Sequence, residues 1–355
     1  MDHKISFPHT PADITAEWLT EALRTTQPDI EVTQVKVLDQ HTGTTGRMRV
    51  GLTYADGSDG PESMFVKLAP FEEKQQRLVS ATDMGRREAR FYADLRAETP
   101  MHAPLAYYAA YGEDRNEYVM LLEDLEAKGC GFNSRLQPQT EEHAAKLIEG
   151  FGHLHAHFWN DPRFDNELSW IEPPMRGHYG AKLIGSALDQ FGDEFGKDFV
   201  ALCRLYIDND DAIVDLWDEG ERTLVHGATH AGNHFVDGDK VGIYDWAVIC
   251  QAPGIRDLAI YLGNSCEPEL RRAEEHNLIK TYRETLIAGG VEDAPSEDVL
   301  FDRYRRTVLY SWVSATTTAS QGDRWQPIEV GRTGMTRAFQ ACVDLDTFGA
   351  LSELL

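Results

Sequence analysis

Apolar and polar positions alternate along residues 47–54, through Met48, Val50, Leu52 and Tyr54, which predicts a half-buried strand. The turn-forming run Asp56-Gly57-Ser58-Asp59-Gly60 leads into Ser63–Leu68, an apolar run that reads as the partner strand and carries one lysine, Lys67. Elsewhere the period is helical. Leu19, Ala22 and Leu23 share a face over residues 15–24, with Thr15 placed to cap. Phe91, Tyr92 and Leu95 form the apolar side of a helix over residues 85–96. Ala144, Leu147, Ile148, Phe151, Leu154 and Phe158 mark a core helix that Thr140 caps, with Glu141 and Glu142 in the first turn where the helix dipole favours them. Further helices are predicted over residues 268–288, stopped by Gly289-Gly290, over a run from the cap Ser296 through Leu300, Tyr304 and Val308, and over residues 335–348. Thr223–Val225 and residues 241–244 read as short buried strands. They flank a His- and Gly-rich loop closed by a hairpin-like Asp237-Gly238-Asp239 turn.

The chain has 355 residues, enough for two lobes of ordinary size, and 42% hydrophobic residues to fill their cores. With 34 basic and 59 acidic residues the net charge is −25, which argues against a nucleic-acid or anionic-membrane surface. The cysteines (Cys130, Cys203, Cys250, Cys266, Cys342) are odd in number, scattered and without C-x-x-C spacing, the pattern of free thiols in a reducing cytoplasm rather than of a disulfide scaffold or zinc ribbon. No apolar run approaches the roughly 20 residues of a membrane span, and Asp2, His3, Lys4 and Pro8 do not form a signal peptide's apolar stretch. A soluble cytoplasmic protein is expected.

The loop after Val225 concentrates the candidate chemistry, because a side chain on such a loop faces a cleft while flanking strands hold its base still. Asn233 and Asp245 are natural oxygen ligands for Mg²⁺, a hard cation that takes one or two protein groups and leaves the rest of its shell to water and phosphate. Lys67 needs either an edge position from which to reach solvent or a buried anion, and Glu88 is the anion at hand. His153, His155 and His157 lie two apart on a helix and cannot converge on one metal. His226, His230 and His234 have i, i+4 spacing, but Gly227 and Gly232 interrupt the run and no Glu follows the first His, so zinc is not expected. Residues 41–46, with Thr44 and Thr45, match neither G-x-G-x-x-G nor a Walker motif. They read as an anion nest presenting backbone N–H groups to phosphate, or as an ordinary hairpin loop. Asp257, after Gln251-Ala252-Pro253-Gly254, is expected to cap a helix.

His226-Gly227-x-x-His230-x-x-Asn233, followed by Ile243-Tyr244-Asp245-Trp246, resembles the catalytic loop and metal-binding aspartate of the aminoglycoside phosphotransferase and ecdysteroid-kinase-like (choline-kinase-like) superfamily of small-molecule kinases. The resemblance implies an α+β, bilobal, protein-kinase-like fold. Its antiparallel-sheet N-lobe would take residues 1–126 and end in a hinge, and its mainly helical C-lobe, residues 127–355, would carry the catalytic loop, metal site and acceptor pocket. It implies ATP and Mg²⁺, with Lys67 on the α- and β-phosphates, Glu88 orienting Lys67, and Thr44 and Thr45 near the phosphates. Glu123 and Leu125, in the run Leu122-Glu123-Asp124-Leu125, would bind adenine through the backbone, and Asn233 and Asp245 would hold the metal. His226 would brace the catalytic loop, and Asp257 would support it from beneath.

One departure dominates. Members of that superfamily begin the motif His-Gly-Asp, and the Asp accepts the proton of the substrate hydroxyl; here the third residue is Ala228, whose methyl group accepts none. His230 is the only nearby group able to substitute. The expected activity is an ATP-dependent phosphotransfer to the hydroxyl of a small molecule, in a form lacking the general base; the alternative is a nucleotide-binding pseudokinase. Retention of Lys67, Glu88, Asn233 and Asp245 favours the kinase lineage, since neutral drift erodes nucleotide contacts together. For the acceptor, Trp170, Tyr179, Tyr261, Tyr310, Trp312 and Trp325 favour an uncharged or weakly charged sterol, terpenoid or hydroxyacyl compound. An aminoglycoside is the alternative, which Asp208, Asp210, Asp211, Glu219 and Glu221 would suit if they converged.

Overall fold

The computed structural model describes residues 5–43, 45–324 and 326–355. The chain divides into two compact units, Met1–Gly131 with Gly242–Val248, and Phe132–Val241 with Ile249–Leu355.

The first unit contains strands β1 (Val32–Thr42), β2 (Gly46–Tyr54), β3 (Ser63–Leu68), β4 (Ala106–Tyr111) and β5 (Tyr118–Glu123), with helices α1 (Ala16–Leu23), α2 (Glu73–Ser80) and α3 (Met84–Arg90). The strands form one antiparallel sheet in the order β1-β2-β3-β5-β4. Thr15 caps α1 by accepting from the Trp18 N–H at 3.2 Å, and Leu19, Ala22 and Leu23 join Met48, Val50, Met64, Val66 and Leu68 in one core. β3 and β5 are buried along most of their length and are nearly continuous apolar runs, while β2, with exposed and half-buried positions between its buried ones, alternates. The segment predicted as a single helix over residues 85–96 is α3 followed by a π-helical turn, Phe91–Leu95, whose three large side chains are all buried. A β-carbon on Gly85 would lie 2.1 Å from the Tyr118 ring, so glycine there lets α3 approach β5.

In the second unit the helices are α4 (Glu141–His157), α5 (Tyr179–Phe195), α6 (Lys197–Trp217), α7 (Ile255–Asn264), α8 (Pro268–Ala288), α9 (Glu297–Ala319), α10 (Ile328–Asp344) and α11 (Thr347–Ser352). The short strands along the remaining chain are β6 (Gly131–Phe132), β7 (Thr223–Val225), β8 (His234–Asp237), β9 (Lys240–Ile243) and β10 (Cys250–Ala252). β7 pairs antiparallel with β10. β8 follows the His- and Gly-rich loop directly, and Gly238 enters the β8–β9 turn at φ +61°, a conformation glycine adopts without a steric penalty. Thr140 and Ser296 cap α4 and α9 through their side chains, as the sequence predicts. The terminal helix differs from its prediction: α10 starts at Ile328, and the chain breaks at Leu345-Asp346, where Asp346 takes φ +47° and caps α11 instead. All five cysteines are free thiols. Among the described residues no helix is long and apolar enough to cross a membrane.

α4 and α8 pack against each other at Gly152, where a β-carbon would lie 2.6 Å from the Thr285 Cβ. Gly→Ala inside a helix ordinarily stabilises by about 1 kcal/mol. Here the methyl group must displace a buried threonine, and overpacking of that kind costs about 1–3 kcal/mol. Gly152→Ala is therefore expected to lower the denaturant midpoint of the purified protein, against the helix-propensity trend, and a raised midpoint would contradict this packing.

Candidate active site

Chain alternation sets the first part of the site. Met64, Val66 and Leu68 point to the core shared with α1, so Lys67 emerges on the opposite face of β3. It is buried there and forms an ion pair with Glu88 of α3, itself fully buried, and a second with Asp245 at 3.0 Å. Lys67 is thus an interior-strand lysine with two carboxylate partners and does not reach solvent from an edge. Asp245 comes from the segment Gly242–Val248 that belongs to this unit. That segment is fastened by Trp246, whose ring stacks flat on Phe91 with centroids 4.0 Å apart, and by the Ile243 N–H, which donates to the His102 carbonyl at 2.9 Å. Asp245 holds φ +66°, a left-handed conformation that is strained for a non-glycine residue and recurs at functional positions.

The electrostatics of this set are unbalanced, with two carboxylates facing one ammonium. Burial works against the Lys67 charge, but Asp245 and Glu88 outweigh it and hold the lysine pKa above its ordinary value. Burial pushes Glu88 up to about 7, against the pull of Lys67 and with the help of Asp245. The second Glu88 oxygen, Oε1, is buried without a hydrogen bond among the described residues. Asp245, by contrast, leaves 47% of its side chain exposed, so a cation can reach the carboxylate that carries the excess charge.

The other residues expected in the first unit take separate places. Thr45 is buried in the β1–β2 turn, where its carbonyl accepts from the Gly43 N–H at 3.1 Å; Thr44 lies outside the described residues. A β-carbon on Gly46 would lie 2.3 Å from Phe71, so the turn is pressed under that ring. Glu123 ends β5 and Leu125 follows it. Between them Asp124 accepts from Ser63 Oγ at 2.7 Å, the Ala127 N–H at 3.1 Å and the Arg49 guanidinium at 3.1 Å, which pins the hinge run to β2 and β3. Burial would raise the Asp124 pKa, but these donors outweigh it and keep it below the ordinary aspartate value. Among the described residues nothing accepts a hydrogen bond from the Leu125 backbone N–H, the kind of group an adenine ring can use.

The catalytic-loop residues lie together in the second unit. Its organiser is Asp257, fully buried, whose oxygens accept from the His226 N–H at 2.7 Å and the Gly227 N–H at 2.9 Å. Gly227 sits at φ +80°, which places both amides on one carboxylate. Thr229 Oγ1 donates to the Asp257 carbonyl at 2.6 Å, Ser265 Oγ accepts from the Ala231 N–H at 2.9 Å, and His226 Nδ1 accepts from the Ala228 N–H at 3.2 Å. Asn233 donates through Nδ2 to the Ala228 carbonyl at 2.9 Å, a bond that uses the amide nitrogen and leaves the Oδ1 lone pairs to a cation. Gly227, Ala228, His230 and Gly232 are half-buried, while His226, Thr229, Ala231 and Asn233 are buried. Ala228 is therefore half-open in a loop anchored at nearly every other residue.

Sequence spacing misplaces Asp257. Gly254 is the N-cap of α7, and Asp257 stands inside the first turn with its carboxylate spent on the loop. Behind it, the His155 ring lies 3.3 Å from Asp257 Oδ2 through Nε2 and 2.9 Å from the Tyr282 hydroxyl through Nδ1. That arrangement was hidden in the sequence; the available signal was a histidine on the apolar face of α4. His234 is also structural, since it bonds the Thr229 carbonyl at 3.0 Å and His143 at 3.3 Å. Burial, helped by Lys146, pulls the His143 pKa down to about 4, and burial with neighbouring histidines pulls that of His234 well below its ordinary value, so both rings stay neutral.

The expected aromatic wall does not form as a unit. Tyr261 and Trp312 are fully buried core side chains, Tyr179 is exposed at the start of α5, and Trp325 lies outside the described residues. The acids that an aminoglycoside would need do not converge as one set: Asp210 and Asp211 lie 2.8 and 4.0 Å from His178, Glu221 pairs with Arg303 at 2.7 Å, and Glu219 lies 3.9 Å from Arg306.

The phosphotransferase enzyme family (APH) model matches residues 51–290, more than half of the chain. Among solved structures, a choline kinase from Cryptosporidium parvum Iowa II is similar at TM-score 0.55 and 12% identity, over 94% of this chain and 97% of that one. A Plasmodium vivax ethanolamine kinase is similar at TM-score 0.50 and 14% identity, over 87% of this chain and 81% of that one. No curated protein matches. The fold is that of small-molecule kinases, and the chain belongs to the phosphotransferase enzyme family.

Proposed function

We propose that this chain binds Mg²⁺·ATP and is built to pass the γ-phosphoryl group to the hydroxyl of a small organic molecule, in a form whose general base is missing. The observation that carries the reading is the Lys67–Glu88–Asp245 set, in which a buried lysine is held by one buried and one open carboxylate. ATP supplies the phosphoryl group and Mg²⁺ neutralises its charge. Lys67 is oriented by Glu88 to meet phosphate oxygens, and Asp245 and Asn233 each offer an oxygen to the metal. The excess negative charge beside Lys67 fits a divalent cation. The Leu125 N–H fits an adenine acceptor, while Thr45 contributes no more than its backbone to phosphate.

At residue 228 the account departs from an ordinary member of the family. The acceptor hydroxyl must lose a proton as its oxygen attacks phosphorus, and a methyl group takes none. Transfer then depends on the positioning of the reactants, which in a loose transition state supplies much of the rate, or on His230. A nucleotide-binding pseudokinase is the second reading, and Ala228 is the observation that favours it. The intact ion set and the fully anchored loop favour the kinase. For the acceptor, the dispersed acids weigh against a polycationic aminoglycoside and leave a hydroxylated sterol, terpenoid or hydroxyacyl compound as the favoured class.

Calorimetric titration with ATP is expected to show binding that Mg²⁺ strengthens and Asp245→Ala weakens. No binding at millimolar nucleotide, together with the same response in Asp245→Ala, would contradict the reading. Ala228→Asp is expected to raise phosphoryl transfer by about 10²- to 10⁴-fold, the usual worth of a positioned base. An unchanged rate in Ala228→Asp, with activity abolished by His230→Ala, would assign the base to His230 instead.

Stability should also report the ion set. Glu88 titrates near pH 7 in the folded chain and near its ordinary value of 4.5 when unfolded, so the folded state binds the extra proton between those limits. The contribution of Glu88 to stability then falls as pH rises through that window. The carboxylates held below their ordinary values, such as Asp124, act at lower pH and with the opposite sign. His143 and His234, held neutral when folded, act with the opposite sign over much of this range, so the assignment is read from the difference between variants: without nucleotide, the unfolding free energy of the parent is expected to fall relative to that of Glu88→Gln between about pH 4.5 and 7, and an equal slope in both would contradict the assignment.

A further inference from the structure

Buried arginines in this chain have partners, with one exception. Arg256 bonds Asp218 at 2.8 Å and covers the Tyr310 ring at 4.6 Å, and Arg271 bonds Glu275 at 2.7 Å and Asp344. Arg135, between β6 and α4, is only 7% exposed, yet among the described residues its Nε is buried without a hydrogen bond and no carboxylate pairs with its guanidinium. Its nearest charged neighbour has the same sign: Arg337 donates to the Arg135 carbonyl at 2.7 Å. The carboxylate that could have served, Glu267, is taken by Arg337 and by the Gln139 N–H at 3.0 Å. Burial, with Arg337 beside it, pulls the Arg135 pKa down to about 10.

What surrounds this charge is also short of acceptors. A β-carbon on Gly334 of α10 would lie 3.5 Å from Arg135 Cδ and 3.7 Å from Nε, so the side chain runs along this glycine face of the helix. One turn earlier, the β-position of Gly331 lies 3.4 Å from Gln326 Nε2, another buried donor with no partner among the described residues. Two unbonded donors, one of them a guanidinium, therefore border the same glycine face of α10. Unpaired buried charge is retained where something pairs with it, and the planar fork of arginine matches the two oxygens of a carboxylate or phosphate.

The place of Arg135 relates it to the transfer reaction. Arg337 Nη1 bonds both the Arg135 carbonyl and, at 2.9 Å, the Ser265 carbonyl, and Ser265 Oγ holds the Ala231 N–H of the catalytic loop. Two residues before Arg135, the Asn133 N–H donates to the His234 carbonyl at 3.3 Å, just beyond the loop. The backbone of Arg135 is thus tied to the scaffold of the loop that would receive the acceptor hydroxyl.

We propose that Arg135 is the anion-binding group of the acceptor site, and that the acceptor alcohol carries an oxyanion, as a carboxylate or a phosphate, that pairs with it. The acceptor role rests on the phosphotransfer reading above; the anion site itself does not. Within the favoured acceptor classes this selects a hydroxyacid-like or phosphorylated alcohol, and it disfavours a polycation, which the guanidinium repels.

The test is thermal unfolding of the full chain without nucleotide, at constant ionic strength, with inorganic phosphate, 4-hydroxybutyrate or 1,4-butanediol. The expected result is a rise in Tm that grows with the concentration of at least one of the two anions and is absent with the diol. Arg135→Met should lose that rise and, because it removes an uncompensated charge, melt above the parent when no ligand is present. Stabilisation by 4-hydroxybutyrate alone assigns a carboxylate, and by phosphate alone a phosphate ester; either upholds the proposal. If Arg135→Met does not fold, Arg135→Lys, which keeps the charge but not the fork, should show a weaker anion response than the parent. The proposal is overturned if neither anion stabilises the parent chain, or if the foldable variant responds as the parent does. Because nucleotide is absent, a failure to bind Mg²⁺·ATP elsewhere would sink the phosphotransfer reading without altering this outcome.

Discussion

One buried ammonium governs the first unit. Lys67 costs free energy where it stands unless anions meet it, and the elements around β3 are arranged to supply them. Gly85 lets α3 close on β5 so that Glu88 reaches the lysine, and the Phe91–Trp246 stack brings the Gly242–Val248 segment back to the sheet so that Asp245 does too. The result has more negative than positive charge. Glu88 absorbs part of that imbalance through its raised pKa, and Asp245 keeps the rest in an open, strained conformation. A site left in that state is suited to a metal ion and to phosphate oxygens rather than to structural pairing alone.

The second unit repeats the device with the sign reversed. A single buried carboxylate, Asp257, holds two backbone amides of the catalytic loop, and His155 and Tyr282 back it from α4 and α8. The remaining anchors of the loop run through Thr229, Ala231, Asn233 and His234. None uses the side chain of residue 228. The loop geometry is therefore independent of whether an aspartate or an alanine stands there, which is the physical reason a chain without the base can keep the rest of its site.

Local rules make part of this visible in the sequence. Alternation gives β2 and β3, the caps Thr15, Thr140 and Ser296 give three helix starts, and the run from His226 to Asp245 gives the loop and the proposed metal ligands. What stays hidden depends on contacts between residues far apart in the chain. Asp245 reaches Lys67 across 178 positions and Asp257 reaches His226 across 31, so no spacing rule shows that one completes an ion set and the other is no helix cap. The Tyr261 and Trp312 aromatics look like a binding wall in sequence because only packing distinguishes core from cleft. Arg135 is harder still, because its distinguishing property is the lack of a partner.

The central claim is that the change at residue 228 removes the proton acceptor and leaves the nucleotide site whole. Its most direct test is the affinity for Mg²⁺·ADP, which has no γ-phosphoryl group to transfer, measured side by side for this chain and for Ala228→Asp. The account predicts that both bind, with the same dissociation constant within error. Binding that appears only once the aspartate is restored would contradict it.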